Sequence, residues 1–230
     1  MPNTYFRFRQ FTVHQDRTAM KVCTDACLFG AWVASETRKE KIERVLDIGA
    51  GTGLLSLMIA QQIDALIDAV EIDKNANAQA CENFATSPWN DRLKVHHTAL
   101  QQFDPLHHYD LIISNPPFYE NDLRSPDDQK NLARHSTQLG VDELFISVKR
   151  LLAPGGKIGL LVPYSRVETI ERKISESKLF INKKATVKQT ENHSPFRCMY
   201  LLSKVFSDYS ERKITVKDEE FNMLLKNYYL

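Results

Sequence analysis

The sequence has few of the features that would hold a disulfide framework or a structural metal. Its four cysteines, Cys23, Cys27, Cys81 and Cys198, are scattered over 230 residues and no Cys-x-x-Cys pair is present. They read as reduced thiols, and no metal is expected. No apolar run approaches the roughly 18 to 20 residues that span a bilayer, and the start MPNTYFRFRQ puts arginines where a signal peptide carries its apolar core. These absences predict a cytoplasmic location. Charge of one sign is lacking too: 30 Lys and Arg against 29 Asp and Glu leave +1, which excludes a strongly basic DNA-coating protein. No internal repeat, low-complexity tract or long linker interrupts the chain. At 43% hydrophobic and 26% charged residues, the composition is that of one soluble domain with a substantial core.

The charge is unevenly placed. Residues 1–25 carry +2, residues 26–163 carry −5 and residues 164–230 carry +4. An acidic body with basic ends suits a polyanionic substrate engaged at one rim of the domain.

From residue 44 to about 162, short β-branched runs alternate with helix-like stretches. Strands are predicted at 44–48, 66–72, 92–96, 109–114 and 157–162, with helices at 54–63, 74–84 and 140–152 between them. That βαβ series implies a mostly parallel sheet covered on both faces. Beyond it a helix at 168–177 precedes two strands, 181–190 and 197–205, whose short connection favours an antiparallel arrangement. Thr215 followed by Asp218 marks the start of a last helix at about 216–229. The expected unit is a single α/β domain over 1–230, Rossmann-like, with an antiparallel strand near the C-terminus and an N-terminal lid at about 1–35.

Asp47-Ile48-Gly49-Ala50-Gly51-Thr52-Gly53 lies between the first of these strands and the first helix. Glycine there permits positive φ and close approach of a ligand to backbone, and the next strand ends at Glu71 and Ile72, where a carboxylate can accept both hydroxyls of a ribose. A dinucleotide site prefers G-x-G-x-x-G, whereas position 54 is Leu, and Asp47 suits an ammonium better than a pyrophosphate. The block Asp47 to Gly53 resembles motif I of the class I methyltransferases.

Asn115-Pro116-Pro117-Phe118-Tyr119 follows the strand at 109–114, at the carboxyl edge where open α/β sheets place ligands. Successive prolines stiffen the turn and leave carbonyls free, Asn115 offers an amide oxygen to a planar amine, and Phe118 offers a stacking face. The pattern is similar to the Asn/Asp-Pro-Pro-Tyr/Phe motif of methyltransferases acting on exocyclic or amide nitrogens. Catalytic roles are therefore expected at Asn115, Pro116, Pro117 and Phe118.

Together with that block, residues 20–32 (MKVCTDACLFGAW) and the ending KNYYL resemble the bacterial family that methylates N6 of the adenosine immediately 3′ of the anticodon in a valine tRNA. The resemblance implies S-adenosyl-L-methionine as cofactor, tRNA as partner and a monomer. It implies that Lys21, Thr24 and Asp25 form a lid, that Asp47, Gly49, Gly51, Gly53, Glu71, Ile72 and Asn115 bind the cofactor, and that Thr98 and Ala99 flank its adenine. The usual acidic residue after the third strand is missing from His96-His97-Thr98-Ala99-Leu100. Phe118, Tyr119, Arg124, Lys130, Arg134 and Arg197 are expected to meet the substrate, with Arg7, Arg9, Lys183 and Lys184 as further phosphate contacts. The paired histidines 96–97 and 107–108 read as surface residues without a shared carboxylate. The same elbow also fits methylation of another RNA adenine or of a protein glutamine.

Overall fold

The computed structural model describes residues 3–18, 20–116 and 139–230. A short antiparallel hairpin, β1 (Tyr5–Arg7) and β2 (Thr12–His14), precedes helix α1 (Thr24–Thr37). The alternating series then runs β3 (Arg44–Ile48), α2 (Leu54–Ala60), β4 (Leu66–Glu71), α3 (Lys74–Ala85), β5 (Leu93–His97), β6 (Tyr109–Ser114), α4 (Val141–Leu151) and β7 (Leu152–Pro163). It closes with α5 (Val167–Glu176), β8 (Phe180–Lys188), β9 (Pro195–Ser203), β10 (Ser210–Thr215) and α6 (Glu219–Leu225).

These strands form one eight-stranded sheet in the order β10-β8-β9-β7-β6-β3-β4-β5, in which β9 alone runs against its neighbours. The predicted class holds: an α/β, mostly parallel sheet with one antiparallel strand near the C-terminus. The order reverses between β3 and β6, which are adjacent and parallel, and such a switch point opens a crevice at the strands' carboxyl ends.

One face of the sheet is covered by α1, α2 and α6, the other by α4 and α5, each face with its own apolar cluster. Helix α1 is buried from Ala26 through Ala34, and Gly30 lets it approach α2 so closely that an added Cβ would lie 3.2 Å from the Cβ of Met58. Arg92 closes the far end of α2, where its guanidinium donates to the carbonyls of Ile63 and Ala65 at 2.9 and 3.0 Å.

Four expectations need correction. The hairpin β1–β2 and the edge strand β10 were not foreseen. Strand β7 begins earlier than expected, at Leu152 opposite Tyr109, but its continuous pairing with β6 starts at Lys157 opposite Leu111, so Pro154-Gly155-Gly156 lies in a break of register just before the expected strand. The last helix is capped by Asp218, whose carboxylate accepts from the amides of Phe221 and Thr215, both at 2.7 Å; Thr215 ends β10. The histidines do share a carboxylate: Asp68 of β4 lies 2.7 Å from His96 Nε2 and 3.4 Å from His107 Nε2, and accepts from the Tyr109 hydroxyl at 2.9 Å.

Candidate active site

The turn from β3 to α2 has Gly49, Gly51 and Gly53 at φ of 73°, 56° and 80°. These are left-handed conformations in which a side chain is strained. Their surroundings separate them. A Cβ on Gly49 or Gly51 would meet nothing within 4 Å, whereas one on Gly53 would lie 2.4 Å from the Phe84 ring. The first two glycines therefore leave backbone open to a ligand, and the third lets α2 and α3 pack.

Open space beside Gly49 and Gly51 belongs to a cavity of about 500 Å³ at the carboxyl edge of the sheet. Its walls come from the ends of β3, β4, β5 and β6: Gly49 and Gly51, then Glu71 and Ile72, then Thr98 and Ala99, then Asn115 and Pro116. Eight residues singled out from the sequence thus converge on one cavity. Glu71, 8% exposed, holds the glycine turn, since its Oε2 accepts from Gly51 N and its Oε1 from Asp73 N, both at 2.8 Å. Each oxygen keeps a second lone pair.

Asp47 precedes this turn, fully buried and not among the residues that line the cavity. Its Oδ2 accepts from Ser56 N at 3.1 Å and Ser56 Oγ at 2.7 Å, while its Oδ1 has no hydrogen-bond partner. Burial, assisted by the nearby Glu71 charge, pushes its pKa up to about 7 against the pull of the Ser56 bonds. A buried carboxylate oxygen without a donor is costly alone and is suited to a cationic ligand group.

Of the expected lid, Lys21 donates from Nζ to the Gln15 carbonyl, and Asp25 pairs at 2.6 Å with Arg197 Nε, joining α1 to β9. Lys21, Thr24 and Asp25 do not line the cavity; the N-terminal segment contributes Arg17, Thr18 and Met20 instead. Sequence reasoning missed these three, and also Ser114, whose hydroxyl donates to the Ile48 carbonyl at 2.9 Å and ties β6 to β3 at the switch point. Arg197, read as a phosphate contact, is half-buried in the pair with Asp25. Pro117, Phe118, Tyr119, Arg124, Lys130 and Arg134 lie outside the described residues.

A mostly parallel sheet with one antiparallel strand near the C-terminus, a glycine turn at its switch point and an acidic residue closing the next strand matches the class I methyltransferase architecture. The Methyltransferase small domain family matches residues 31–190. Among solved structures, a ribosomal protein L11 methylase from Lactobacillus delbrueckii subsp. bulgaricus superposes with a TM-score of 0.56 over 77% of each chain at 17% identity. A glycopeptide N-methyltransferase solved with S-adenosyl-L-methionine gives 0.60 at 14% identity over 79% of this chain and 95% of its own. Curated relatives are nearer. The tRNA1(Val) (adenine(37)-N6)-methyltransferase of Dyadobacter fermentans is 43% identical over 99% of this chain and 98% of its own, and that of Parabacteroides distasonis 38% over 100% and 99%. The chain belongs to the tRNA1(Val) (adenine(37)-N6)-methyltransferase family.

Proposed function

We propose that this chain transfers a methyl group from S-adenosyl-L-methionine to N6 of adenosine 37, immediately 3′ of the anticodon, in a valine tRNA. The observation that carries the reading is the meeting of Asn115 and Pro116 with Gly49, Gly51 and Glu71 in one cavity, so that an acceptor at the elbow faces a ligand on the glycine turn. The donor set fits the cofactor. Asp47 Oδ1 is an unpartnered acceptor for its ammonium, Glu71 has lone pairs for its ribose hydroxyls, and Gly49 and Gly51 leave room beside their backbone.

S-adenosyl-L-methionine supplies an electrophilic methyl on a sulfonium. Asn115 orients the acceptor: its amide oxygen and the Pro116 carbonyl accept the two protons of the adenine amine and turn its lone pair toward the methyl. Phe118 stacks on the adenine ring and holds the flipped base. No strong base is required, because the proton leaves to water after transfer. Arg124, Lys130 and Arg134 contact phosphates of the anticodon loop, and the enzyme works as a cytoplasmic monomer. No helix among the described residues is long and apolar enough to cross a membrane.

The test is methyl transfer from labelled cofactor to total tRNA lacking the modification, followed by nucleoside analysis and mapping. N6-methyladenosine at position 37 of a valine tRNA is expected. Label in another RNA adenine, or on a glutamine of a protein release factor, would replace the proposal with that substrate.

A further inference from the structure

Two of the amides on helix α3, Gln79 and Asn83, lie one turn apart and are both 0% exposed. Neither faces the cavity, so the reaction does not account for them. Asn83 Nδ2 donates to the His14 carbonyl at 2.9 Å and to the Thr52 carbonyl at 2.8 Å, and its Oδ1 accepts from His14 N at 2.9 Å. Both amide protons and the oxygen are thus in use. Aspartate, the isosteric alternative, has no proton to give either carbonyl.

The partners belong to two different segments, each adjoining residues that line the cavity. Thr52 sits in the glycine turn between Gly51 and Gly53. His14 ends β2, three residues before Arg17, which lines the cavity together with Thr18 and Met20. Gln79 Oε1 accepts from Arg17 N at 3.1 Å, and Glu82 pairs with the Arg17 guanidinium at 2.8 Å, so α3 holds that segment along one face. Asn83 is set apart from these contacts because it grips both segments.

We propose that Asn83 is a positioning residue for the cofactor cleft: one side chain sets the separation of the glycine turn from the N-terminal segment, and a ligand spanning the two segments is bound through it. The inference rests on the reading of this cavity as the S-adenosyl-L-methionine site. It makes the N-terminal hairpin part of the binding apparatus, and it explains why an amide is buried where α3 would otherwise bury an apolar side chain.

The probe is S-adenosyl-L-homocysteine, titrated calorimetrically into wild type, Asn83→Asp and Gln79→Ala, each verified as folded by circular dichroism. Asn83→Asp is expected to weaken binding at least tenfold and to raise KM for S-adenosyl-L-methionine with kcat within threefold. Gln79→Ala, which loosens one segment only, is expected to change affinity less than threefold. Amide hydrogen exchange on wild type needs no variant: the probe is expected to slow exchange at His14 N–H, a group outside the cavity. Unchanged affinity in folded Asn83→Asp, equal damage from Gln79→Ala, or His14 exchange indifferent to the probe would each overturn the inference. Wild type failing to bind the probe would instead overturn the cofactor reading.

Discussion

On the proposed reading, Asp47 makes cofactor binding depend on pH. Its carboxyl moves from an ordinary 3.8 to about 7 on folding, chiefly through burial. The folded chain therefore retains a proton that the unfolded chain releases, and the stability of the empty protein falls as pH rises through that window and levels off above it. A bound ammonium beside Oδ1 reverses the preference, because it favours the charged carboxylate. S-adenosyl-L-methionine affinity should accordingly weaken as pH drops below about 7, approaching tenfold per unit. Asp47→Asn should flatten that profile and raise the unfolding midpoint of the empty protein at pH 8. Calorimetry across the range and thermal unfolding check the two halves, and a wild-type affinity independent of pH would remove the ammonium from Oδ1. In the proposed reaction Asn115 has the complementary role, facing the acceptor. Asn115→Ala should keep cofactor affinity and lower single-turnover transfer by about 10²-fold, equivalent to about 2.7 kcal/mol of lost orientation and charge stabilisation. Near-normal transfer would take the elbow out of the chemistry.

Where β3 turns into α2, the glycines have different tasks that substitution can separate. Gly53→Ala strains a backbone at φ 80° and drives a Cβ to 2.4 Å from Phe84, costs of roughly 1 to 3 kcal/mol each. Gly51→Ala carries only the backbone strain, but its methyl enters the cavity. Urea unfolding should show Gly53→Ala as the less stable variant, and calorimetry should show Gly51→Ala binding cofactor worse than its stability alone predicts. The opposite ranking in both measurements would exchange the roles. The pattern of these elements was legible where apolar strands end in glycine or a carboxylate: β3, β4 and β6 delivered Gly49, Gly51, Glu71 and Asn115 to one edge as their order in the chain implies. It was illegible where elements are short or polar. Strands β1 and β2 have three residues each, and β10, SERKIT, buries Ile214 alone. Arg17, Thr18 and Met20 escaped notice because their segment is held by contacts of Gln79 with Arg17 and of Asn83 with His14, across more than 60 residues. His96 and His107 meet on Asp68 for the same reason, across 28 and 39 residues.

Across the molecule, the net charge of each segment is a poorer guide to the tRNA face than the pairing of individual charges. The C-terminal excess includes Lys183, which pairs with Glu36, and Lys184, which lies 2.9 Å from Glu171 and 3.7 Å from Glu211. Arg197 is joined to Asp25, and Arg9 Nε donates to the Tyr229 carbonyl near the chain's end. These groups brace β8 and β9 against α1 and α5, and the N-terminal segment against the C-terminus. A cation already satisfied by a carboxylate releases few counterions when RNA approaches, so it adds little to the salt dependence of binding. Arg124, Lys130 and Arg134 follow the elbow directly in sequence and are the stronger candidates. Replacing these three with alanine should weaken tRNA binding at low salt and lower the slope of log affinity against log salt by about 2, since each phosphate contact contributes roughly 0.7 to 0.9. Lys183→Ala with Lys184→Ala should leave the slope within about 0.5 of wild type and lower the unfolding midpoint, because Glu36 of α1, its side chain only 9% exposed, loses a partner. Filter binding of a valine tRNA between about 50 and 300 mM salt decides the matter: a slope set by residues 183 and 184, with none lost at 124, 130 and 134, would put the anticodon loop against β8 and away from the elbow.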